Sequence, residues 1–434
     1  MIHRSSILLV RKNKKIMKNI LGIGILLLMT LSFQSCFEDE CESVHTYTRY
    51  DPVYVTLEDI RTNNISLLQG QALENPGKLY LYKNYILINE QGKGIHFYDN
   101  ADVQSPRHVG FISIHGNFDM AIKDDILYAD NIIDLLAIDI STVKQPVLVD
   151  RQLDAFVSYE NSNGYVSHYL NSKVVSQEDC RTNNGGIFWD EDVVFLENAD
   201  SNVFSPTTGV NGNTGVGGST ARFTIYQDFL YTVDNSSITS WDISASQNPI
   251  SINNQQLTWG IETIYPYKDN LFIGSESGMY IFDNTNPSYP VLLSVFEHAR
   301  ACDPVVVEND IAYVTLRDGS TCQGFVNQLD VIDISSLTNP KLIESFDMTN
   351  PHGLSIKNDV LYICEGEAGL KVFDAQDASK VGERLLSHEK DIHAYDAIAL
   401  TDELVMLIGK DGFYQYRVDG DKNLELVSHI YVER

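Results

Sequence analysis

A short pattern recurs five times along this chain of 434 residues: an Asp followed seven residues later by a Pro, each time after an alternating apolar stretch. The copies are Asp99…Pro106, Asp139…Pro146, Asp242…Pro249, Asp283…Pro290 and Asp333…Pro340. Asp374 closes a sixth such stretch without the Pro, and successive Asp residues are 40, 103, 41, 50 and 41 residues apart. A period near 40 predicts an array of one supersecondary unit. Since an array is a scaffold, its function has to be inferred from individual residues.

Each unit has the pattern of four short antiparallel strands. The first two are clearest in ARFTIYQDFLYTVDN (221–235) and HGLSIKNDVLYICEGE (352–367), where β-formers flank a turn-forming pair. The third strand ends at the Asp, whose carboxylate is expected to accept a hydrogen bond from a backbone amide two residues on, and the fourth follows the Pro. Four antiparallel strands every 40 or so residues predict an all-β protein, a β-propeller.

We count seven four-stranded blades, although the irregular spacing leaves six or eight open. The predicted blades are 75–116, 117–156, 222–260, 261–300, 301–350, 351–391 and 392–434. Residues 157–221 lack the Asp…Pro pattern and are interpreted as an insertion, whose end, 199–221, is rich in Gly, Asn, Ser and Thr and is predicted to be a mobile loop. The propeller is therefore assigned to 75–434, and 36–74 to a tether with a candidate edge strand at Val53–Leu57.

The amino terminus has the pattern of an export signal. Residues 1–35 carry six basic side chains and no acid, and Ile20–Leu31 form an apolar core of 12 residues. A bilayer span needs about 20 residues, so this core is the size of a signal peptide rather than a membrane helix. The core ends in Ser-Phe-Gln-Ser-Cys, which resembles a bacterial lipoprotein signal with Cys36 as the lipidated residue. The alternatives are a plain secretory signal with an incidental Cys, and a start at either Met1 or Met17.

The residues after Cys36 bear on location and partners. Phe-Glu-Asp-Glu at this place resembles the surface-export signal of lipoproteins in Bacteroidota-type bacteria. The resemblance implies attachment to outer-membrane lipid through acylated Cys36 and display on the cell exterior. The alternative is that these acidic residues are only a solvated tether. Removing the six basic residues of 1–35 leaves 25 basic against 59 acidic residues, a net charge near −34. Nucleic acid is not expected as a partner, because phosphate binding needs a positive patch.

One stretch of the chain is similar to a known family. The strand Leu329-Asp330-Val331-Ile332-Asp333 and the loop that contains Asn339-Pro340 look like the LVIVD repeat of bacterial surface propellers, and 301–335, 369–375 and 409–416 share the likeness. The resemblance covers roughly 75–434. It implies a lipid-anchored outer-membrane propeller of poorly defined role, and nothing in it extends to the insertion at 157–221.

The starts of the innermost strands give one equivalent position per blade. Aligned by sequence, these positions hold Gly77, Asp119, Arg222, Glu262, Asp303, Gly353 and Asp396. They are expected to ring one mouth of the central channel, where a cationic or polyol ligand, or Ca²⁺ held by oxygen ligands, would bind. The metal ligands would be Asp119, Glu262, Asp303 and Asp396. The alternative is that each acid caps backbone amides at the start of its own blade; His115, Arg300, His352 and His393 lie nearby in sequence.

The six cysteines divide into three groups. Cys36 is the lipidation candidate. Cys302 and Cys322 flank one hairpin, and in an oxidising compartment they are predicted to form a disulfide, the alternative being two separate thiols. Cys364 lies in an apolar strand and is predicted to be a core thiol, while Cys41 and Cys180 are not assigned.

No catalytic motif such as HExxH, GxSxG, GxGxxG or a P-loop is present. The favoured hypothesis is a surface-anchored propeller that binds a protein or glycan without chemistry of its own. One alternative is a surface glycan- or peptide-processing enzyme at the acidic mouth, and another is a structural component of an envelope complex. Aromatic residues of the insertion can stack on sugars, although 187–195 reads equally well as a strand that packs on a blade. They are Tyr159, Tyr165, Tyr169, Phe188 and Trp189.

Overall fold

The structure is a computed structural model that describes residues 42–179, 214, 216–219, 221–298, 304–318 and 326–433, without the side chains of 42–46 and 176–179. Seven four-stranded antiparallel sheets follow one another around a ring. From blade 1 to blade 7 the innermost strand of each contacts that of the next, and the second strand of blade 7 contacts the innermost strand of blade 1. The prediction of seven four-stranded blades is confirmed. Among the described residues, no helix is long and apolar enough to span a membrane.

The strands and helices follow the predicted order. They are β1 (Glu42–Val55), α1 (Leu57–Thr62) and β2 (Leu67–Leu68); β3 to β6 of blade 1 (Pro76–Tyr82, Tyr85–Glu90, Gly94–Asp99, Arg107–Ser113); β7 to β10 of blade 2 (Met120–Lys123, Ile126–Asn131, Asp134–Asp139, Val147–Gln152); β11 (Tyr165–Asp179) and β12 (Val216–Gly217); β13 to β16 of blade 3 (Phe223–Tyr226, Phe229–Val233, Ser237–Asp242, Ile250–Gln256); β17 to β20 of blade 4 (Ile261–Tyr267, Asn270–Ser275, Gly278–Asp283, Val291–Glu297); β21 to β24 of blade 5 (Val305–Glu308, Ile311–Leu316, Gln328–Asp333, Lys341–Asp347); β25 to β28 of blade 6 (Leu354–Lys357, Val360–Cys364, Leu370–Asp374, Leu385–Glu389), with a 3-10 helix at Ala378–Glu383; and β29 to β32 of blade 7 (Ala394–Thr401, Leu404–Gly409, Gly412–Val418, Leu424–Tyr431).

The recurrent Asp has the local role that its position predicts. In each of the first six blades it is the last residue of the third strand, and its Oδ1 accepts a hydrogen bond of 2.8 to 3.0 Å from the backbone N–H two residues on. This bond turns the chain towards the fourth strand. The same bond holds the pKa of Asp99, Asp242 and Asp283 below the usual aspartate range.

The hydrophobic core lies between the blades. The first three strands of every blade are almost wholly buried, whereas the fourth strands consist mostly of exposed and half-buried residues. The predicted turns between first and second strands are confirmed, since Gln227, Lys268, Asn309 and Asn358 have positive φ between the paired strands. Such turns match the twist of a two-residue hairpin.

Within the part of the chain that the structure describes, blade 7 closes the ring against blade 1 without exchanging a strand. An apolar cluster joins the two blades, with Ile86, Ile88, Met406 and Phe413 among its members. A pair of amides adds to it: Asn100 Nδ2 donates to Gln415 Oε1 at 3.0 Å, and Gln415 Nε2 donates to Asn100 Oδ1 at 2.9 Å. The backbone N–H of Glu433 also donates to the carbonyl of Leu73 at 2.8 Å.

Two short strands extend blade 1 to six. Strand β2 pairs with β6 on the outer edge, and β12 pairs with β3 on the inner edge. The edge strand is therefore Leu67–Leu68 rather than Val53–Leu57, because Val53 to Val55 belong to β1, which pairs with β11, and Leu57 begins α1. Helix α1 has a capping box in which Thr56 and Asp59 satisfy each other's backbone N–H groups.

The segment predicted as a mobile loop at 199–221 is in part ordered. Thr214 bridges Lys123 of blade 2, Val216 and Gly217 form β12, and Ser219 is buried. The residues 199–213 lie outside the described part. Residues 42–49 of β1 and 172–179 of β11 belong to a second compact unit, and β1 and β11 pair in a two-stranded sheet.

Candidate functional site

The strand registers define which residues ring the channel mouth. In every blade the equivalent residue is the fifth position before the first hairpin turn, counted back along the pairing of the innermost strand with the second strand. In four blades this residue immediately precedes the innermost strand. These residues are Lys78, Asp119, Arg222, Thr263, Pro304, Gly353 and Asp396. Four of the seven positions thus hold the residues that sequence alignment places there.

The other three positions differ by one residue. β-bulges explain two of them: Gly77 and Lys78 together face Asn89, so Lys78 holds the ring position, and Glu262 is the extra residue between the pairs of Ile261 and Thr263. Pro304 holds the position in blade 5, next to Asp303, which lies outside the described residues. The ring therefore has two basic and two acidic members rather than four acids and one base.

Asp119 is held by internal partners from two neighbouring blades. Its Oδ2 lies 3.3 Å from Lys78 Nζ and accepts a hydrogen bond of 2.5 Å from the backbone N–H of Arg222, while Oδ1 accepts one from Met120 N–H at 2.7 Å. The side chains of Lys78 and Asp119 are each 4% exposed. Burial lowers the pKa of Lys78, and the adjacent Asp119 carboxylate partly opposes that effect. Asp119 therefore caps a backbone N–H at the start of its own blade, as the alternative proposed, and a second one at the start of blade 3.

Asp396 belongs to blade 7, so in the ring order blade 1 lies between it and Asp119 of blade 2. Ser219 Oγ is 3.4 Å from its Oδ1 and accepts a hydrogen bond from Leu354 N–H at 3.0 Å, so the inner-edge segment links blades 6 and 7. A Cβ on Gly353 would come within 2.0 Å of Asp396 Oδ1, which explains the glycine. Burial raises the pKa of Asp396 well above the usual aspartate range.

The predicted calcium site is not assembled within the described residues. No group of three His, Cys, Asp or Glu side chains there has the geometry to hold a metal ion. Asp119 is engaged by Lys78, Asp396 is buried beside Ser219, and Asp303 lies outside the described part. A metal at the mouth stays a prediction that depends on Asp303.

The neighbouring His and Arg residues are spread over different blades. His352 is buried, and burial lowers its pKa well below the usual histidine range; His393 is half-buried, with a lowered pKa from the same cause. Their rings both lie against Tyr395, at centroid distances of 5.8 and 4.8 Å. His115 accepts a bond from Asn131 through its carbonyl, and Arg300 lies outside the described residues.

A cavity opens beside the ring, between blades 2 and 3, and has a volume of about 320 Å³. We call it the blade 2–3 pocket. Its wall is formed by residues that precede and follow the strands of blade 2, by the start of the insertion, and by the segments that flank blade 3. The lining includes Phe118, Asp119, Asp130, Tyr159, Arg222 and Trp259. The volume falls at the low end of the range of about 300–1,000 Å³ typical of ligand pockets.

Asp130 supplies an acceptor to this pocket. Its Oδ1 accepts hydrogen bonds from Asn117 Nδ2 at 2.7 Å and from the backbone N–H groups of Phe118 and Asp119 at 2.9 Å each. Within the described residues nothing bonds Oδ2, which leaves that oxygen for a ligand. Burial raises the pKa of Asp130 to about 7, with the charge of Asp119 as a further cause.

Arg222 supplies donors. Its backbone N–H is bound to Asp119, but its Nε is buried without a hydrogen-bond partner, and the guanidinium makes no ion pair with the described residues. A buried donor without a partner is costly, so a ligand acceptor at this place would be favoured.

Exposed aromatic rings complete the rim. Trp259 is 73% exposed and Tyr159 is 82% exposed, although both line the pocket. Sequence reasoning singled out Tyr159 but missed Trp259, Phe118 and Asp130. Trp259 has a signal that can be read from the sequence: it stands in the linker between two blades, outside the alternating apolar pattern of the strands.

The remaining insertion and cysteine predictions have mixed outcomes. Tyr165 and Tyr169 lie in β11, where Tyr169 is exposed, while Phe188 and Trp189 lie outside the described residues. Cys364 is a buried free thiol, as predicted, and burial raises its pKa well above the usual range. The other five cysteines, Cys36, Cys41, Cys180, Cys302 and Cys322, lie outside the described residues.

Comparison with known proteins supports the architecture alone. No family model matches the chain, and no curated protein matches it. A solved protein from Lactobacillus plantarum is similar with a TM-score of 0.51 at 12% identity, covering 82% of this chain and 100% of that one. Sqt1 from Saccharomyces cerevisiae is similar with a TM-score of 0.50 at 8% identity, covering 85% and 89%. At such low identity the likeness extends to the fold alone, and the chain is a seven-bladed β-propeller.

Proposed function

We propose that this protein is a lipid-anchored propeller of the LVIVD type, displayed on the outer membrane of a Bacteroidota-type bacterium, which binds a glycan or protein and performs no chemistry. The anchor is supported by the sequence around Cys36 and the acidic residues that follow it. Binding is supported by the blade 2–3 pocket, where Arg222 Nε has no hydrogen-bond partner among the described residues and the rings of Trp259 and Tyr159 are exposed.

The pocket carries the proposal because it differs from the rest of the channel mouth. Lys78, Asp119 and Asp396 are buried and bonded to groups of the protein itself, so they form part of the scaffold. Asp130 Oδ2, the Arg222 guanidinium and the Trp259 indole remain for a ligand. A pocket with few polar groups among aromatic walls is typical of binding sites.

The anchor and the location are tested on intact cells. Fatty-acid labelling is expected to mark the wild type and not a Cys36→Ser variant, and membrane fractionation is expected to find only the wild type in the outer membrane. Protease added to whole cells is expected to degrade it. Retention of the Cys36→Ser variant in the membrane would contradict the anchor, and protection from protease would contradict surface display.

Ligand binding is tested by thermal shift on the detergent-purified full chain, with neutral and acidic oligosaccharides, basic and acidic peptides, and Ca²⁺ with EDTA as the reference. A ligand of the native state raises the melting temperature by mass action. The shift is expected to be lost in Trp259→Ala and kept in Tyr289→Ala, a control that removes an exposed aromatic ring outside the pocket. Equal shifts in both variants would contradict binding at this pocket.

Asp130 supports a second candidate, a glycan- or peptide-processing enzyme at the same place. A carboxyl with a pKa of about 7 can donate a proton near neutral pH. Hydrolysis with two carboxylates needs a second carboxylate with an available oxygen, and both oxygens of Asp119 accept internal bonds. Turnover of an oligosaccharide or peptide that disappears in Asp130→Asn would establish this candidate in place of the binding module.

The Cys302–Cys322 disulfide belongs to the same proposal, because export would place the chain in an oxidising compartment. Peptide mass spectrometry without reduction is expected to find the linked pair in protein from the native envelope. Two separately alkylated thiols would contradict it.

A further inference from the structure

We propose that the blade 2–3 pocket binds a neutral carbohydrate, an inference that rests on the binding function proposed above. Three properties of the pocket indicate this class of ligand: the pairing of one donor with one acceptor, the exposed aromatic rings, and the balance of charge.

The polar groups match hydroxyls. A sugar hydroxyl both donates and accepts a hydrogen bond, so it is satisfied by a site that offers one group of each kind. Asp130 Oδ2 is an acceptor without a described partner, and the Arg222 guanidinium is a donor whose Nε is buried without a partner. Asp130 cannot turn away from the pocket easily, because three donors fix its Oδ1.

The aromatic groups match the apolar C–H faces of a sugar. A pyranose ring presents C–H groups on its faces, and these pack on the flat surface of an indole or phenol ring. Trp259 and Tyr159 expose most of their surface at this pocket, and Phe118 is exposed beside them. Trp is usually buried for most of its area, so an indole that is 73% exposed at a pocket rim is a contact surface available to a ligand.

The charges disfavour ionic ligands. A cation in this pocket would lie close to Arg222, and Lys78 adds a second positive charge beside Asp119. An anion would lie close to Asp130 and Asp234 on a chain whose net charge is −28. A neutral ligand avoids both repulsions and still uses the donor and the acceptor.

The test is titration calorimetry of the detergent-purified full chain against neutral oligosaccharides (β-glucan, α-glucan, xylan and mannan fragments), with oligogalacturonate and an oligolysine peptide as charged probes. At least one neutral series is expected to bind. Trp259→Ala and Arg222→Met are each expected to weaken that binding at least tenfold, and Asp130→Asn to weaken it less, since Asn keeps a polar group there. Arg222→Met preserves the bond from the backbone N–H to Asp119, and Tyr289→Ala is the matched surface control.

The outcomes separate the ligand class from the proposed function. Binding of only the oligogalacturonate or the oligolysine, lost in Trp259→Ala, would overturn the neutral carbohydrate as the ligand and leave the binding function in place. Neutral-sugar binding that Trp259→Ala and Arg222→Met leave unchanged would overturn the pocket as its site. The absence of binding by every neutral series at millimolar concentration would also overturn the inference. Urea unfolding curves that match that of the wild type show that each variant is folded.

Discussion

Replacing Gln415 by Leu tests how the ring of blades closes. Gln415 is fully buried in the third strand of blade 7, where most other blades carry an apolar residue such as Phe97, Ile281 or Val331. Its Nε2 donates to Asn100 Oδ1 at 2.9 Å, to the carbonyl of Val103 at 3.1 Å and to Ser428 Oγ at 2.8 Å, and its Oε1 accepts from Asn100 at 3.0 Å.

The size of the effect follows from those bonds. A buried polar group left without its partner costs about 1–3 kcal/mol, and Leu would leave the Val103 carbonyl and the Asn100 amide unpaired. Asn100 is only half-buried, so water can satisfy part of it. We therefore expect Gln415→Leu to lower the free energy of unfolding by about 2–4 kcal/mol. Adding Asn100→Ile should restore most of this loss, because Ile follows the third strand at this place in blades 2, 3 and 5.

The measurement is equilibrium unfolding in urea, followed by circular dichroism and tryptophan fluorescence, for both single variants and the double variant. Gln255→Leu is the control: Gln255 is an amide on an outer strand with one bond, to the carbonyl of Pro290, and its loss should cost about 1 kcal/mol or less. A Gln415→Leu midpoint equal to that of the wild type would refute the reasoning. So would a double variant whose loss equals the sum of the two single losses, since coupled residues are not additive.

Three further predictions concern the channel mouth. Lys78→Met leaves the buried Asp119 carboxylate without its counter-ion, so we expect the free energy of unfolding in urea to fall by about 3 kcal/mol, and Asp119→Asn to recover part of that loss. An unchanged midpoint would show that the ion pair does not stabilise the protein. Gly353→Ala places a Cβ 2.0 Å from Asp396 Oδ1 and should cost about 2 kcal/mol, with recovery when Asp396→Ala is added; failure of the second change to help would assign the cost to the backbone instead. The pKa of Asp130 is raised to about 7, so the folded state holds this proton more tightly than the unfolded chain, and wild-type stability relative to Asp130→Asn should fall as the pH rises from about 4 through 7. Urea midpoints of the two proteins that stay parallel over this window would contradict the raised pKa.

Much of the architecture could be predicted because its causes are local. The Asp at the end of each third strand binds an amide two residues on, so its spacing along the chain marks the blades directly. The hairpin turns around Gln227 and Asn309 follow from short polar residues between apolar strands. The candidate site was predicted less well, because Asp119 and Arg222 were placed correctly in the ring while Lys78 was missed by one residue.

That single-residue error has a physical cause. A bulge adds one residue to a strand without changing its apolar pattern, so the sequence does not show that Lys78 rather than Gly77, or Thr263 rather than Glu262, reaches the ring. Because of this shift, the mouth carries two basic and two acidic residues, with Lys78 paired to Asp119, instead of the predicted acidic ring.

The sequence by itself determined the period, the strands and the pattern of an export signal, because each of these depends on residues close together in the chain. It favoured seven blades but left six or eight open, and the structure decided for seven. Only the tertiary structure decided what the mouth contains. The inner-edge segment at Ser219 binds blades 6 and 7, and the blade 2–3 pocket joins Asp130, Tyr159 and Trp259 across two blades and the insertion. Those contacts link residues far apart in the chain through strand register and blade packing, and neither can be read from a local pattern.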